Sequence, residues 1–177
     1  MARTAKLDLR AFQQELATRL ASKTAAQVES SRLGLSFGGG NWLIRLSDAG
    51  EVVAVPPIAA VPLTKPWFLG ITNIRGNLHG VIDFAAFCSL PGGAPAKGSG
   101  GQARLILLGP RTGELKAGVV VDRVIGLRNI AEFAPVAARA DPPAWYGQRW
   151  MDGDGVAWQE IDLTRLARDP AFLQVGV

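Results

Sequence analysis

From Leu33 onward, apolar and polar residues alternate over short stretches, and this pattern predicts brief β-strands separated by turns. Residues 33–37 and 42–46 form the first predicted pair of strands, with three glycines and an asparagine in the turn between them. Residues 51–55 form a further strand that ends at two consecutive prolines. The pattern is typical of a mainly β protein.

A tight hairpin is predicted where residues 71–74 and 78–82 flank the segment Arg75-Gly76-Asn77. Gly76 and Asn77 both tolerate the positive φ that such a turn requires. A second hairpin is predicted for residues 104–108 and 115–122, and residues 124–127 are expected to continue its sheet.

Only residues 8–27 show the period of a long helix. Leu9, Phe12, Leu16 and Leu20 recur at intervals of three and four and form a narrow apolar stripe. Such a stripe needs an apolar partner, because a short amphipathic helix is not stable alone in water. We expect this helix to be an addition to the β domain that docks on a partner protein.

A strand followed directly by an aspartate and a short helix occurs twice. Asp83 and Asp162 each end an apolar run and are predicted to be helix N-caps. Trp67 and Trp145 stand at the beginning of the two segments, which indicates a weak internal repeat. Two related small β-barrels would explain this repeat.

Composition limits the class of protein. With 177 residues, 48% of them apolar and 19% charged, the chain is long enough for one core or two small modules. Residues 91–102, rich in glycine and proline, are expected to be a flexible loop. Neither a membrane span nor a signal peptide is expected, and the single cysteine suits the cytoplasm.

The positive charge is concentrated at the N-terminus. Residues 1–32 hold six Lys or Arg against three acidic residues, which supplies +3 of the net +4. The remaining residues have no basic stripe that would follow a phosphate backbone. Nucleic-acid binding is therefore a minor alternative.

Candidate catalytic groups are sparse. His79 is the only histidine and is expected on the surface or rim, whereas Cys88 has apolar neighbours and is expected in the core. Residues 152–155 imitate the start of a calcium loop without its distal ligands, so a hairpin turn is predicted instead. Because no nucleophile, base and oxyanion site come together, we expect no enzyme activity, no metal and no cofactor.

The block Gly70-Ile71-Thr72-Asn73-Ile74-Arg75-Gly76, followed by Val81-Ile82-Asp83-Phe84, resembles the central motif of CheW-like chemosensory coupling proteins. The usual proline of that motif is absent, and Leu78-His79-Gly80 stands in its place. Asp122, within Val-Asp-Arg-Val, matches a second family signature whose role is structural. The resemblance covers residues 33–168.

This resemblance implies a mainly β fold with two intertwined, five-stranded, SH3-like barrels. The domain would span residues 33–177, and residues 1–32 would be an added helical arm. The resemblance also implies a binding site for receptor or kinase. In the family, an arginine at the position of Arg75 pairs with a glutamate at that of Glu51, beside the receptor-binding groove.

Further site residues are implied on the same basis. They are Asn73 in the central motif and Gly70 and Gly118, which match family glycines near the groove. A side chain at either glycine would obstruct an approaching helix.

The implied function is that of a non-enzymatic adaptor in the cytoplasm, recruited to membrane-bound receptor arrays without inserting into the membrane. Its partners would be the cytoplasmic tip of a methyl-accepting chemoreceptor and the regulatory domain of a CheA-type histidine kinase. Within the family, the missing proline and the added helix most resemble the coupling proteins of type IV pilus twitching-motility systems. A flagellar chemotaxis coupling protein is the alternative, and a nucleic-acid-binding small-barrel protein is the alternative from another class.

Overall fold

The polypeptide is described here by a computed structural model that covers residues 29–91 and 101–177. The predicted helix at 8–27 lies outside these ranges, as does most of the predicted loop at 91–102. The described residues contain eleven strands: β1 (Ser31–Phe37), β2 (Gly40–Arg45), β3 (Ala49–Ala54), β4 (Phe68–Ile74), β5 (Asn77–Asp83), β6 (Arg104–Leu108), β7 (Ala117–Val121), β8 (Arg123–Asn129), β9 (Ala134–Val136), β10 (Tyr146–Met151) and β11 (Ala157–Ile161). The helices are short: α1 (Phe84–Phe87), α2 (Leu163–Leu166), α3 (Pro170–Leu173) and 3-10 turns at Pro110–Thr112 and Ile130–Glu132.

The strands form two sheets, which confirms the expected mainly β architecture. The first sheet has the order β8-β1-β2-β11-β10-β9, and the second has the order β3-β6-β7-β5-β4. The second sheet has the expected five strands, whereas the first gains the short strand β9 at its edge. Pro135 in β9 lies opposite Trp150, and an edge strand tolerates proline because its outer side needs no ladder hydrogen bond.

The two sheets are intertwined because the chain passes from the first sheet to the second between β2 and β3 and returns between β7 and β8. β3 follows β2 along the chain but pairs with β6 of the second sheet. β8 follows β7 but pairs with β1 of the first sheet. The expectation that residues 124–127 continue the sheet of β6 and β7 is therefore wrong, because their hydrogen-bonding partner is a strand distant in sequence.

The internal repeat is visible as two equivalent hairpin–helix units. The N–H of Asp83 donates to the carbonyl of Trp67 at 2.8 Å, and the N–H of Asp162 donates to that of Trp145 at 2.9 Å. In each unit the last strand runs parallel to a strand of a separate hairpin, β5 beside β7 and β11 beside β2. Each unit then ends in a short helix.

Two apolar clusters hold the sheets together. The larger one lies between the sheets and takes residues from both: Leu33, Leu35, Phe37, Trp42, Ile44, Ile82, Ile106, Val119, Val121 and Ile161 are among its members. The smaller one belongs to the second sheet and consists of Val81, Ala103, Leu105, Leu107 and Val120. The shared cluster makes the two sheets one packing unit.

The sequence places the boundary between arm and domain after residue 32, and the first strand begins two residues before residue 33. β1 begins at Ser31, which pairs with Asn129, and Arg32 pairs with Arg45 and Arg128 on either side. Arg32 is only 7% exposed. The charge pattern assigned Arg32 to the arm, because the residues that contact Arg32 are distant in sequence and that pattern does not show them.

Candidate functional site

The turn of the β4–β5 hairpin holds two residues, because Ile74 pairs directly with Asn77. Arg75 and Gly76 have φ values of 52° and 84°, as a two-residue type I′ turn requires. The sequence had assigned positive φ to Gly76 and Asn77, but Asn77 already belongs to β5. Asn73 closes the turn, since its Oδ1 accepts a 2.8 Å hydrogen bond from the N–H of Gly76.

Arg75 and Glu51 form an ion pair, as the family resemblance implied. Nη2 of Arg75 lies 2.6 Å from Oε1 of Glu51, and the two side chains are 78% and 37% exposed. Glu51 is on β3 and Arg75 follows β4, the two edge strands of the second sheet. The contact between opposite edges shows that this sheet curls into a barrel.

Gly70 allows a second chain segment to cross β4 closely. Its φ is +133°, and a Cβ added there would lie 2.1 Å from the carbonyl oxygen of Ala59. Ala59 exchanges two backbone hydrogen bonds with the neighbouring Ile71, at 2.8 and 2.9 Å. Any side chain at Gly70 would break this crossing.

Gly118 faces the barrel interior and not a groove. A Cβ there would lie 2.8 Å from Cδ1 of Leu105 and 3.0 Å from Cδ2 of Leu107. The expectation that a side chain at Gly118 would obstruct a partner helix is corrected, because it would meet the core first. Gly118 is nonetheless in line with Gly70, since Val81 pairs with both.

An apolar groove of about 210 Å³ runs beside the hairpin. Its lining includes Phe68, Gly80, Ile82, Leu115, Phe172 and Leu173. Leu78 lies on the same face of β5 as Gly80, opposite Asn73, and is 60% exposed. The sequence pattern did not single out this exposed leucine, because it was counted within an ordinary strand. Its place in the strand alternation next to Asn73 was the available signal.

Asp83 and Asp162 are helix caps, as predicted. Oδ1 of Asp83 accepts from the N–H of Ala86 at 3.0 Å. Oδ1 of Asp162 accepts from the N–H groups of Thr164 and Arg165, both at 3.0 Å. Burial opposes ionisation of Asp162, but these bonds, the Thr164 hydroxyl and the charge of Arg45 hold its pKa below the ordinary value.

The other candidate groups take structural places. His79 is half-buried and its Nδ1 lies 3.1 Å from the carbonyl oxygen of Asn77. Cys88 packs against the shared core, and burial together with the charge of Asp83 raises the pKa of its thiol to about 12. Asp152 lies in the β10–β11 turn, where its carboxylate accepts from the N–H of Val156 at 2.8 Å and from Trp158 Nε1 at 2.8 Å.

A second, more polar pocket of about 380 Å³ lies where the two repeats meet. Its aromatic lining is Trp67, Phe87, Trp145 and Tyr146. These rings contact one another at centroid distances of 4.7–5.9 Å, so they also serve as packing between the repeats.

Residues 29–91 and 101–177 contain neither a metal-binding cluster nor a membrane-spanning helix. No group of three or more His, Cys, Asp or Glu there is placed to hold a metal ion. None of the helices described is long and apolar enough to cross a membrane.

Comparison with known proteins identifies the family of this fold. The CheW-like domain profile matches residues 33–171. The chain belongs to the CheW-like family. CheW-like proteins are scaffolds and adaptors of chemosensory systems and are generally not enzymes.

Two relatives are similar in sequence to this CheW-like chain, and one solved structure is similar in fold. It is 29% identical to Protein PilI of Pseudomonas aeruginosa over 168 residues, which cover 90% of this chain and 89% of that protein. It is 35% identical to Protein FrzA of Myxococcus xanthus over 100 residues, 52% of each chain. The crystal structure of the scaffolding protein TtCheW from Thermoanaerobacter tengcongensis superposes with a TM-score of 0.61 at 22% identity, over 75% of this chain and 88% of that one.

Proposed function

We propose that this protein is a non-enzymatic adaptor that couples the cytoplasmic tip of a methyl-accepting chemoreceptor to the regulatory domain of a CheA-type histidine kinase. The observation that carries the proposal is the exposed ion pair between Arg75 and Glu51 at the tip of the β4–β5 hairpin. It places a cation at a site that the barrel itself holds in position.

The guanidinium of Arg75 has N–H donors that the hydrogen bond to Glu51 does not use. Its Nη2 bonds Glu51, and a guanidinium offers five N–H donors in a fixed fork. With 78% of the side chain exposed, the remaining donors are accessible to a carboxylate or carbonyl of a partner. Glu51 thus orients the fork while the partner supplies the other acceptors.

The apolar groove beside β5 is suited to the apolar face of a partner helix. A helix that docks by its apolar face requires a groove with exposed apolar side chains. Leu173 in the lining is 49% exposed, and Leu78, on the same face of β5 as the lining residue Gly80, is 60% exposed. A receptor helix lying in the groove would bring its polar edge towards Arg75 and Asn73.

The pathway proposed is a chemosensory system that controls type IV pili and twitching motility. Support comes from the 29% identity to Protein PilI over nearly the whole chain and from the missing proline in the central motif. Flagellar chemotaxis is the alternative within the family. In either pathway the adaptor would be cytoplasmic, brought to receptor arrays at the membrane by its partners.

Charge distribution gives no support to nucleic-acid binding as the function. The described residues hold 13 Lys or Arg and 13 Asp or Glu, so this part of the chain is neutral. Duplex binding relies on several phosphate contacts from clustered cations.

Receptor-dependent kinase activity in a reconstituted complex tests the proposal. Arg75→Ala should weaken receptor coupling by about 1–3 kcal/mol while thermal unfolding of the isolated protein changes little, because an exposed pair contributes about 0–1 kcal/mol to stability. Arg168→Ala, which removes an exposed arginine after α2, is the matched control and should couple normally.

A charge exchange separates partner recognition from barrel closure. The double variant Glu51→Arg/Arg75→Glu can re-form the ion pair but presents a carboxylate where the partner would meet a guanidinium. Coupling should stay low in this variant. Normal coupling in Arg75→Ala would exclude Arg75 from the site, and full rescue by the exchange would reduce its role to closing the barrel.

A further inference from the structure

Part of the groove beside the β4–β5 hairpin is built by residues that lie beyond the family match. That match ends at residue 171, whereas Phe172, Leu173 and Val175 all line the groove. Phe172 is only 2% exposed. Its ring stacks on Trp67 at a centroid distance of 6.4 Å and meets Phe87 edge-on at 5.3 Å. This side of the groove is therefore packed firmly, while Leu173 remains 49% exposed.

Backbone hydrogen bonds hold the segment that follows α3. The N–H of Lys65 donates to the carbonyl oxygen of Val175 at 2.8 Å, and the N–H of Val177 donates to that of Leu63 at 3.2 Å. Because both bonds join main-chain atoms, substitutions of the side chains leave this pairing in place.

Gly80 on β5 is a second unusual residue of the lining. It is the last of the three residues that stand in place of the usual proline of the family motif. Its N–H donates to the carbonyl oxygen of Lys116 at 3.0 Å, a bond that proline cannot make. A Cβ at Gly80 would lie 3.1 Å from Cε2 of Phe68, which also lines the groove. Glycine therefore leaves room beside the ring of Phe68.

Two departures from the family pattern thus meet in one groove, namely the residues after the match and the glycine that replaces proline. The pair formed by Arg75 and Glu51 belongs to the shared pattern, so it cannot by itself distinguish the partner of one family member from that of another. Specificity is a difference between affinities. Residues that differ between family members are the ones that can supply this difference.

The size and charge of the groove restrict what it can hold. Its volume of about 210 Å³ is smaller than the roughly 300–1,000 Å³ of pockets for drug-sized ligands, and it suits an apolar side chain of a partner protein. Among the described residues, Lys116 is the only charged one in the lining. Its Nζ donates to Oδ1 of Asn77 at 2.6 Å, which holds the cation beside the hairpin. The groove therefore favours an apolar side chain that has a carboxylate nearby.

We propose that this groove selects the partner of the adaptor by accepting one bulky apolar side chain of an acidic, amphipathic receptor helix. That side chain packs against Leu173 and over Gly80, and a carboxylate of the same helix lies at Lys116. The inference rests on the proposed function and adds to it the residues that determine which receptor is bound. A buried apolar anchor of this kind concentrates binding energy in few contacts.

Calorimetric titration of the full chain with the cytoplasmic fragment of the chemoreceptor used in the reconstituted complex tests the groove. Leu173→Glu should weaken binding by roughly tenfold or more, because it removes an apolar contact and repels an acidic partner. Val177→Glu is the matched control, since Val177 is 83% exposed and does not line the groove. It should bind like the wild type. Thermal unfolding should be unchanged in both variants, because both side chains are exposed.

Two further variants separate size from charge. Gly80→Ala keeps the backbone N–H and adds one methyl group to the groove, and it should weaken binding by roughly tenfold. Lys116→Gln keeps a donor for Asn77 but removes the charge, so the affinity should become less sensitive to salt than that of the wild type.

The possible failures can be told apart. Wild-type affinity in Leu173→Glu or Gly80→Ala, together with a loss in Arg75→Ala, would overturn the groove and leave the proposed function standing. Equal losses in Leu173→Glu and Val177→Glu would also overturn it. Wild-type salt dependence in Lys116→Gln would overturn the assignment of an acidic partner. If the wild-type protein did not bind the receptor fragment, the proposed function would be wrong and the groove would lose its occupant with it.

Discussion

Arg75 and Arg32 make ion pairs of nearly equal length in very different surroundings. The Arg75–Glu51 contact is 2.6 Å and mostly exposed, whereas the Arg32–Glu160 contact is 2.8 Å and almost fully buried. Water screens the first pair, so its contribution to stability is about 0–1 kcal/mol. Removing one partner of a buried pair costs about 3–5 kcal/mol, because the other charge stays desolvated. Burial, and not distance, therefore decides how much each pair contributes to stability.

Gly70→Ala should destabilise the protein by roughly 2–5 kcal/mol through backbone strain and overpacking. The added Cβ would lie 2.1 Å from the Ala59 carbonyl at a φ of +133°. Urea unfolding measures the change, with Gly153→Ala as the control, since a Cβ at Gly153 meets nothing within 4 Å. Equal midpoints for the two variants would mean that the Ala59 segment moves aside at little cost.

At the scale of elements, the hairpin–helix unit is the repeated building block. Both copies end with a capping aspartate whose backbone N–H bonds the tryptophan at the start of the unit. The carboxylate then supplies acceptors to the first turn of a four-residue helix. A helix this short has no stability of its own, so the cap and the packing must hold it.

Asp83→Ala and Asp162→Ala should each lower the free energy of unfolding by about 0.5–2 kcal/mol, whereas Asp→Ser at either position should cost less, because serine retains an acceptor. Chemical denaturation of the four single variants measures this difference. Asp154→Ala, in the exposed β10–β11 turn, serves as the control and should be neutral. Ser and Ala variants of equal stability would argue against the capping role.

At the scale of the whole molecule, the two sheets depend on each other. The larger apolar cluster takes residues from both sheets, and β3 and β8 each leave one hairpin to complete the opposite sheet. The second sheet is one continuous segment, β3 to β7, inserted between β2 and β8, so the first sheet cannot be cut out as a continuous piece of chain. We therefore regard the described domain as one cooperative unit.

Deleting residues 1–28 should leave a folded, soluble domain, because Arg32 remains to neutralise Glu160. Deleting residues 1–32 should cost roughly 3–5 kcal/mol more, since it removes the start of β1 and the closest cation to a buried carboxylate. Thermal unfolding of the two truncations measures the difference. Aggregation of the shorter deletion would show that residues 1–28 are part of the core.

Local sequence patterns predicted most strands to within about two residues at each end, as with β6, which spans Arg104–Leu108. They also located the caps Asp83 and Asp162, because a cap depends on residues two or three positions apart. The Arg75–Glu51 contact was predicted only through family resemblance, since its partners are 24 residues apart on opposite sheet edges.

Apart from the turn, whose residues are Arg75 and Gly76 and not Gly76 and Asn77, the errors concern partners that are distant in sequence. A strand's alternation shows which residues share a face, but not what covers that face. Thus Gly118 was expected at a groove and lies against Leu105, and Arg32 was assigned to the N-terminal arm and lies against Glu160.

Period, turn residues and caps are short-range properties, so the order of residues alone specified the strands, the hairpin turns and the hairpin–helix repeat. Pairing between distant strands is a long-range property, selected by burial of the shared core. Tertiary structure alone therefore decided which sheet β8 joins, which arginine is buried, and where the apolar groove lies beside the β4–β5 hairpin.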